Sequence, residues 1–133
     1  MNDPWSPRRK DSDVSLATSI LIVEDDAGIR DTLGEVLQEE TTHQVFLAVD
    51  GETALAILQT ARPNMFLLDY KLPGMNGLEL VERIRRIKEY EQTPIVLMSA
   101  NLFKEDVTGY NLKYIRKPFD LDRLLQLIEE ALT

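Results

Sequence analysis

Four short segments of the 133-residue chain carry side chains that could do chemistry together: Glu24-Asp25-Asp26, Asp69, Ser99 and Lys117. Carboxylates crowded into one place repel each other, and a hard divalent cation relieves that repulsion. Magnesium prefers oxygen ligands, usually one or two carboxylates completed by water and phosphate oxygens. An aspartate can also attack phosphorus and form an acyl phosphate. The transferring phosphoryl group spreads charge over three oxygens, so a metal, an ammonium and a hydroxyl are suited to stabilise it. The four segments supply the carboxylates, the hydroxyl and the ammonium that such a reaction needs.

The chemistry requires a scaffold that brings these distant segments together. Short apolar runs recur along the chain: Ile20-Leu21-Ile22-Val23, Val45-Phe46-Leu47-Ala48-Val49, Met65-Phe66-Leu67-Leu68, Ile95-Val96-Leu97-Met98 and the weaker Tyr114-Ile115. They are continuous rather than alternating, as strands covered on both faces should be, and four residues are too few for a buried helix. Between them lie helical periods. Ile29, Leu33, Val36 and Leu37 share one face; Ala54, Leu55, Leu58 and Ala61 a second; Leu80, Val81, Ile84 and Ile87 a third. Leu121, Leu124, Leu125, Ile128 and Leu132 form the last, opening at Asp120 as a candidate N-cap. Strand and helix alternate five times, which predicts an α/β fold with a doubly wound five-stranded parallel sheet and helices on both faces. In such sheets ligands sit beyond the carboxyl ends of the strands. The acidic triplet, Asp69, Ser99 and Lys117 all fall at those ends.

Each segment alone has a plainer reading: an acidic triplet is usually a solvated turn, and one Lys before Pro means little. Complementary groups at four of the five strand ends make coincidence a poor explanation. Asp26 is the weakest member, since it can cap the first helix instead. Asp50-Gly51 reads as a turn into the second helix, and Pro73, Gly74 and Gly77 as shaping the loop after Asp69. His43, the single histidine, is expected on the surface away from the crevice.

Bulk properties narrow the function. Hydrophobic residues make up 44% and charged residues 29%, enough for one folded domain. The net charge of −8 argues against direct nucleic-acid binding. With one histidine and no cysteine, zinc sites, disulfides and cysteine nucleophiles are excluded, and the lack of cysteine fits a cytoplasmic location. No apolar run reaches the length of a membrane span, and no GxxxxGK[ST] loop marks nucleotide as phosphodonor. Residues 1–17, with Pro4, Pro7 and the basic Arg8-Arg9-Lys10, are expected to form a disordered tail ahead of a domain at 18–133.

The segments LIVEDDAGIR, MFLLDYKLPGMNGLEL, VLMSAN and YIRKPF resemble the strand ends of response regulator receiver domains of two-component signalling, over about residues 19–133. The resemblance implies a flavodoxin-like strand order of 2-1-3-4-5. It implies that Asp69 is the phosphoacceptor and that Glu24 and Asp25 bind magnesium, with manganese as a substitute and Asp25 as the closer ligand. The backbone carbonyl of Lys71 completes the metal site in this scheme. Ser99 and Lys117 hold phosphoryl oxygens, and Ser99 and Tyr114 form the switch pair. The family usually has a cis peptide at the position of Pro118, and the small Ala100 leaves the acceptor open to a donor. The implied partners are a sensor histidine kinase or phosphotransfer protein and a downstream protein. The implied state is a monomer or a phosphorylation-dependent dimer. The chain is expected to be a self-acting phosphoacceptor rather than a turnover enzyme, with no output domain of its own.

Two departures stand out. Ser99 and Lys117 are 117 − 99 = 18 positions apart, about one helical turn fewer than in ordinary receivers. The helix between them, drawn from Leu102 to Thr108 with Phe103, Val107 and Tyr110 on one face, is therefore expected to be short or irregular. Lys71 replaces the commoner small polar residue, which is expected to alter the lifetime of an acyl phosphate. A phosphorylation-independent interaction module is the alternative function. A phosphohydrolase of similar sheet would need a second Asp where Lys71 stands.

Overall fold

The computed structural model describes residues 18–100 and 111–133. The strands are β1 (Ser19–Val23), β2 (Gln44–Ala48), β3 (Met65–Asp69), β4 (Ile95–Ser99) and β5 (Lys113–Arg116). The helices are α1 (Ala27–Glu40), α2 (Gly51–Ile57), α3 (Gly77–Arg85) and α4 (Leu121–Leu132), with a 3-10 turn at Lys88–Tyr90. All pairings are parallel and the strand order is β2-β1-β3-β4-β5. The expected tail and the expected short helix after Ser99 lie outside the described residues.

The continuous apolar runs feed two cores at once, because successive strand side chains point to opposite faces. Ile20, Ile22, Met65, Leu67, Val96 and Met98 pack against Leu33 and Leu37 of α1 and Leu124, Leu127 and Ile128 of α4. Leu21, Val23, Phe66, Leu68, Ile95 and Leu97 pack against Ala54 and Leu58 on the α2 side and Leu80, Val81 and Ile84 of α3. Tyr90 closes this second core edge-on to Phe66, with ring centroids 5.3 Å apart. Arg85 holds the adjoining chain by donating to the carbonyls of Tyr90, Thr93 and Asn111.

Each described helix starts from a side-chain cap. Asp26 accepts from Ile29 N, Asp50 from Thr53 N and Asp120 from Asp122 N, while Asn76 and Glu79 form a reciprocal capping box. Asp26 and Asp120 thus take the capping roles the sequence suggests.

Three expectations need correction. Leu121 is 38% exposed and Leu127 takes its place in the core, because α4 meets the sheet one step round from the face its leucines suggest. The β2 run is not covered on both faces: β2 is an edge strand, Leu47 is 40% exposed, and Val49 lies beyond the strand. His43 is not a free surface residue; its side chain is 10% exposed, Nε2 lies 2.8 Å from Glu129 Oε2, and Nδ1 meets the Thr18 hydroxyl. Glu129 of α4 thus reaches His43, the residue just before β2.

Candidate functional site

Parallel pairing brings the chemical residues to one edge of the sheet. Glu24 extends β1 by one rung, its amide donating to Ala48 O at 3.0 Å, and its side chain is buried. Asp69 ends β3 opposite Met98 of β4, so Ser99 stands one residue further along the neighbouring strand. Lys117 extends β5 in the same way, its amide donating to Ser99 O at 2.7 Å. The Lys117–Pro118 peptide is cis, as the resemblance implied.

The side chains converge. Lys117 Nζ lies 3.0 Å from Glu24 Oε1 and 3.1 Å from Asp69 Oδ1. Glu24 Oε2 accepts from the Asp26 amide at 3.1 Å. One carboxylate oxygen from each of Glu24, Asp25 and Asp69 lies within 4.8 Å of the others. The clustered, all-oxygen donor set fits magnesium, which takes carboxylate oxygens and completes its shell with water. Asp25 is the exposed member and lines a groove with Tyr70, Lys71, Pro73 and Asn76. Asp26 is turned away by its cap on α1.

The loop after Asp69 is held tightly. The Tyr70 amide donates to Met98 O, and the Gly77 amide donates back to Tyr70 O at 2.7 Å. A Cβ on Gly77 would stand 2.6 Å from Asp69 O, so only glycine lets α3 start this close to the site. Gly74 takes φ +84°, which also favours glycine.

The family model described as the response regulator receiver domain matches residues 20–129. The chain belongs to this receiver family. Among its relatives is the sporulation initiation phosphotransferase F of Bacillus subtilis (strain 168). That protein is 37% identical over 117 residues, which is 85% of this chain and 92% of the relative. The chemotaxis response regulator CheY4 of Vibrio cholerae superposes with a TM-score of 0.81 at 29% identity, covering 87% of this chain and 99% of that one. The response regulator TrrA of Thermotoga maritima, solved in complex with Mg(2+)-BeF, gives a TM-score of 0.77 at 32% identity, covering 86% and 99%.

The electrostatics of this receiver follow from its burial. Burial pushes the Glu24 carboxyl above its ordinary range and the Asp69 charge adds to it; the Lys117 and Asp26 bonds oppose without cancelling the rise. Burial alone would lower Lys117, but its bonds to Glu24 and Asp69 outweigh that and its pKa is raised. An ammonium between two buried carboxylates is stabilised in its charged form.

Tyr114 of β5 pairs with Leu97 and packs on the second core. Its hydroxyl is buried and has no hydrogen-bond partner among the described residues. Sequence reasoning overlooked Arg30, whose guanidinium reaches back to the carbonyls of Glu24 and Asp25. The available signal was a basic residue one helical turn past the Asp26 cap, a weak cue in a charged helix. Among the described residues no helix is long and apolar enough to cross a membrane.

Proposed function

We propose that this receiver accepts a phosphoryl group on Asp69 from the phosphohistidine of a sensor kinase or phosphotransfer protein, and signals by binding a partner. The observation that carries this reading is Lys117 Nζ within 3.1 Å of both Glu24 and Asp69, beside a third carboxylate from Asp25. A bond forms between a carboxylate oxygen of Asp69 and phosphorus as the phosphorus–nitrogen bond to the donor imidazole breaks, and the freed imidazole takes up a proton. Glu24, Asp25, Asp69 and the backbone carbonyl of Lys71 are assigned to hold magnesium, with manganese as a substitute. The ion supplies charge neutralisation for the incoming phosphoryl oxygens. Lys117 leaves its apo partners to pair with one phosphoryl oxygen, and Ser99 donates to another.

The new charge draws Ser99 and Tyr114 toward the acceptor and shifts a pre-existing equilibrium of the surface around β4 and β5. Receiver domains are phosphoacceptor switches rather than turnover enzymes, and this chain is assigned the same behaviour. The likeness to a sporulation phosphotransferase of nearly the same length supports a role in passing or sensing phosphoryl groups.

The test is intact mass after incubation with acetyl phosphate and magnesium, for wild type and Asp69→Ala. A gain of one phosphoryl group in wild type alone supports the assignment. No gain with acetyl phosphate or with a cognate kinase overturns it in favour of a phosphorylation-independent interaction module.

A further inference from the structure

The acidic pair is gripped from behind. Glu24 and Asp25 sit in the short connection between β1 and α1, where the sheet no longer pairs their carbonyls. Arg30 Nη1 lies 2.9 Å from Glu24 O and 3.4 Å from Asp25 O, so one guanidinium nitrogen engages two successive carbonyls. Its own amide donates to Asp26 O at 2.9 Å, which locks the arginine into the first turn of α1. The two carboxylates differ in how they are placed. Glu24 is buried and held by Lys117 and the Asp26 amide. Asp25 is exposed, and its carboxylate has no hydrogen-bond partner among the described residues. Among the described residues, nothing but the backbone beneath it directs Asp25 toward Glu24 and Asp69.

Fixing a carbonyl fixes its peptide plane. Carbonyls 24 and 25 belong to the planes on either side of the Asp25 Cα, so holding both sets the direction in which the Asp25 side chain leaves the chain. Arg30 does this without touching a carboxylate among the described residues, which leaves the acidic oxygens free for a cation. A guanidinium nitrogen carries two N–H groups in a fixed plane, suited to two adjacent acceptors.

We propose that Arg30 is a positioning residue for the cation site: it presets the Glu24-Asp25 backbone so that Asp25 meets a divalent ion in the orientation binding needs. The inference rests on the cation reading of the crevice. Loss of a group that orients a metal ligand typically weakens metal binding by about 10–100-fold. Replacing Arg30 should fall near the lower end, because Glu24 and Asp69 keep their own supports.

The experiment is calorimetric titration of the full chain with magnesium, for wild type, Arg30→Ala, Arg30→Lys and Asp25→Ala, with melting in chelator run alongside. Arg30→Lys keeps the charge and a donor nitrogen without the planar fork, and guards against a misfolded alanine variant. Weaker binding in Arg30→Ala, partial recovery in Arg30→Lys and an acetyl phosphate reaction restored by raising magnesium support the assignment. Wild-type magnesium affinity in a folded Arg30→Ala, or equal losses in Arg30→Ala and Arg30→Lys, with affinity lost in Asp25→Ala, overturns the role of Arg30 and leaves the crevice reading standing. Absence of magnesium binding in wild type overturns both.

Discussion

Lys117 Nζ and Asp69 Oδ1 are 3.1 Å apart across the ends of two strands that β4 separates. The same ammonium holds Glu24, so one cation balances two buried carboxylates. Removing one partner of a buried pair costs about 3–5 kcal/mol, and the 22% exposure of the Lys117 side chain reduces this to about 2 kcal/mol for Lys117→Gln. Urea unfolding in chelator measures that loss. Saturating magnesium should recover part of it, while phosphorylation by acetyl phosphate should fall steeply.

The raised Glu24 carboxyl makes magnesium stabilisation depend on pH. Between the ordinary value of 4.5 and its higher folded value, Glu24 keeps a proton that the unfolded chain has released. Metal-free stability therefore falls as pH rises through that window, and magnesium must compete with the proton inside it. The rise in melting temperature on adding magnesium should be small near the low end and full above the high end. The raised Lys117 acts elsewhere: its contribution is complete below 10.5 and is lost as pH rises through its folded value. A magnesium-induced shift that is flat from acid to neutral pH would contradict this account of Glu24.

Gly77→Ala places a methyl 2.6 Å from Asp69 O and 2.8 Å from Tyr70 Cα, both backbone atoms that cannot swing aside. Overpacking of this kind costs about 1–3 kcal/mol. Because the displaced atoms belong to the proposed phosphoacceptor and its neighbour, the phosphorylation rate should drop along with the unfolding midpoint.

Tyr114→Phe removes a buried hydroxyl that has no partner among the described residues. The unphosphorylated protein should gain about 1 kcal/mol, read from denaturant unfolding. Phosphorylation itself should survive, whereas partner binding that depends on a Tyr114 switch should weaken.

Lys71 lies exposed beside Asp25 on the groove wall. Under the proposed function, a lysine at this position hinders water approaching the acyl phosphate. Lys71→Asn should shorten the acyl-phosphate lifetime several-fold, measured by loss of the phosphorylated mass after donor removal. Equal decay rates would remove Lys71 from the account.

The sequence by itself determined the alternation of strand and helix, the chemical set at the strand ends and the helix caps at Asp26 and Asp120. These are local properties: a short continuous apolar run marks a strand, and a cap lies within three residues of the amide it satisfies. Only the tertiary structure decided which leucines of α4 face the core, that β2 is left half-covered at the edge, and that His43 meets Glu129 across 86 positions of chain. It also decided that Lys117 reaches Glu24 and Asp69 together, and that Arg30 turns back onto the carbonyls of the acidic pair. Periodicity shows that a helix has an apolar face but not the angle at which it settles. Composition shows that charges are present but not which of them packing brings within a hydrogen bond of one another.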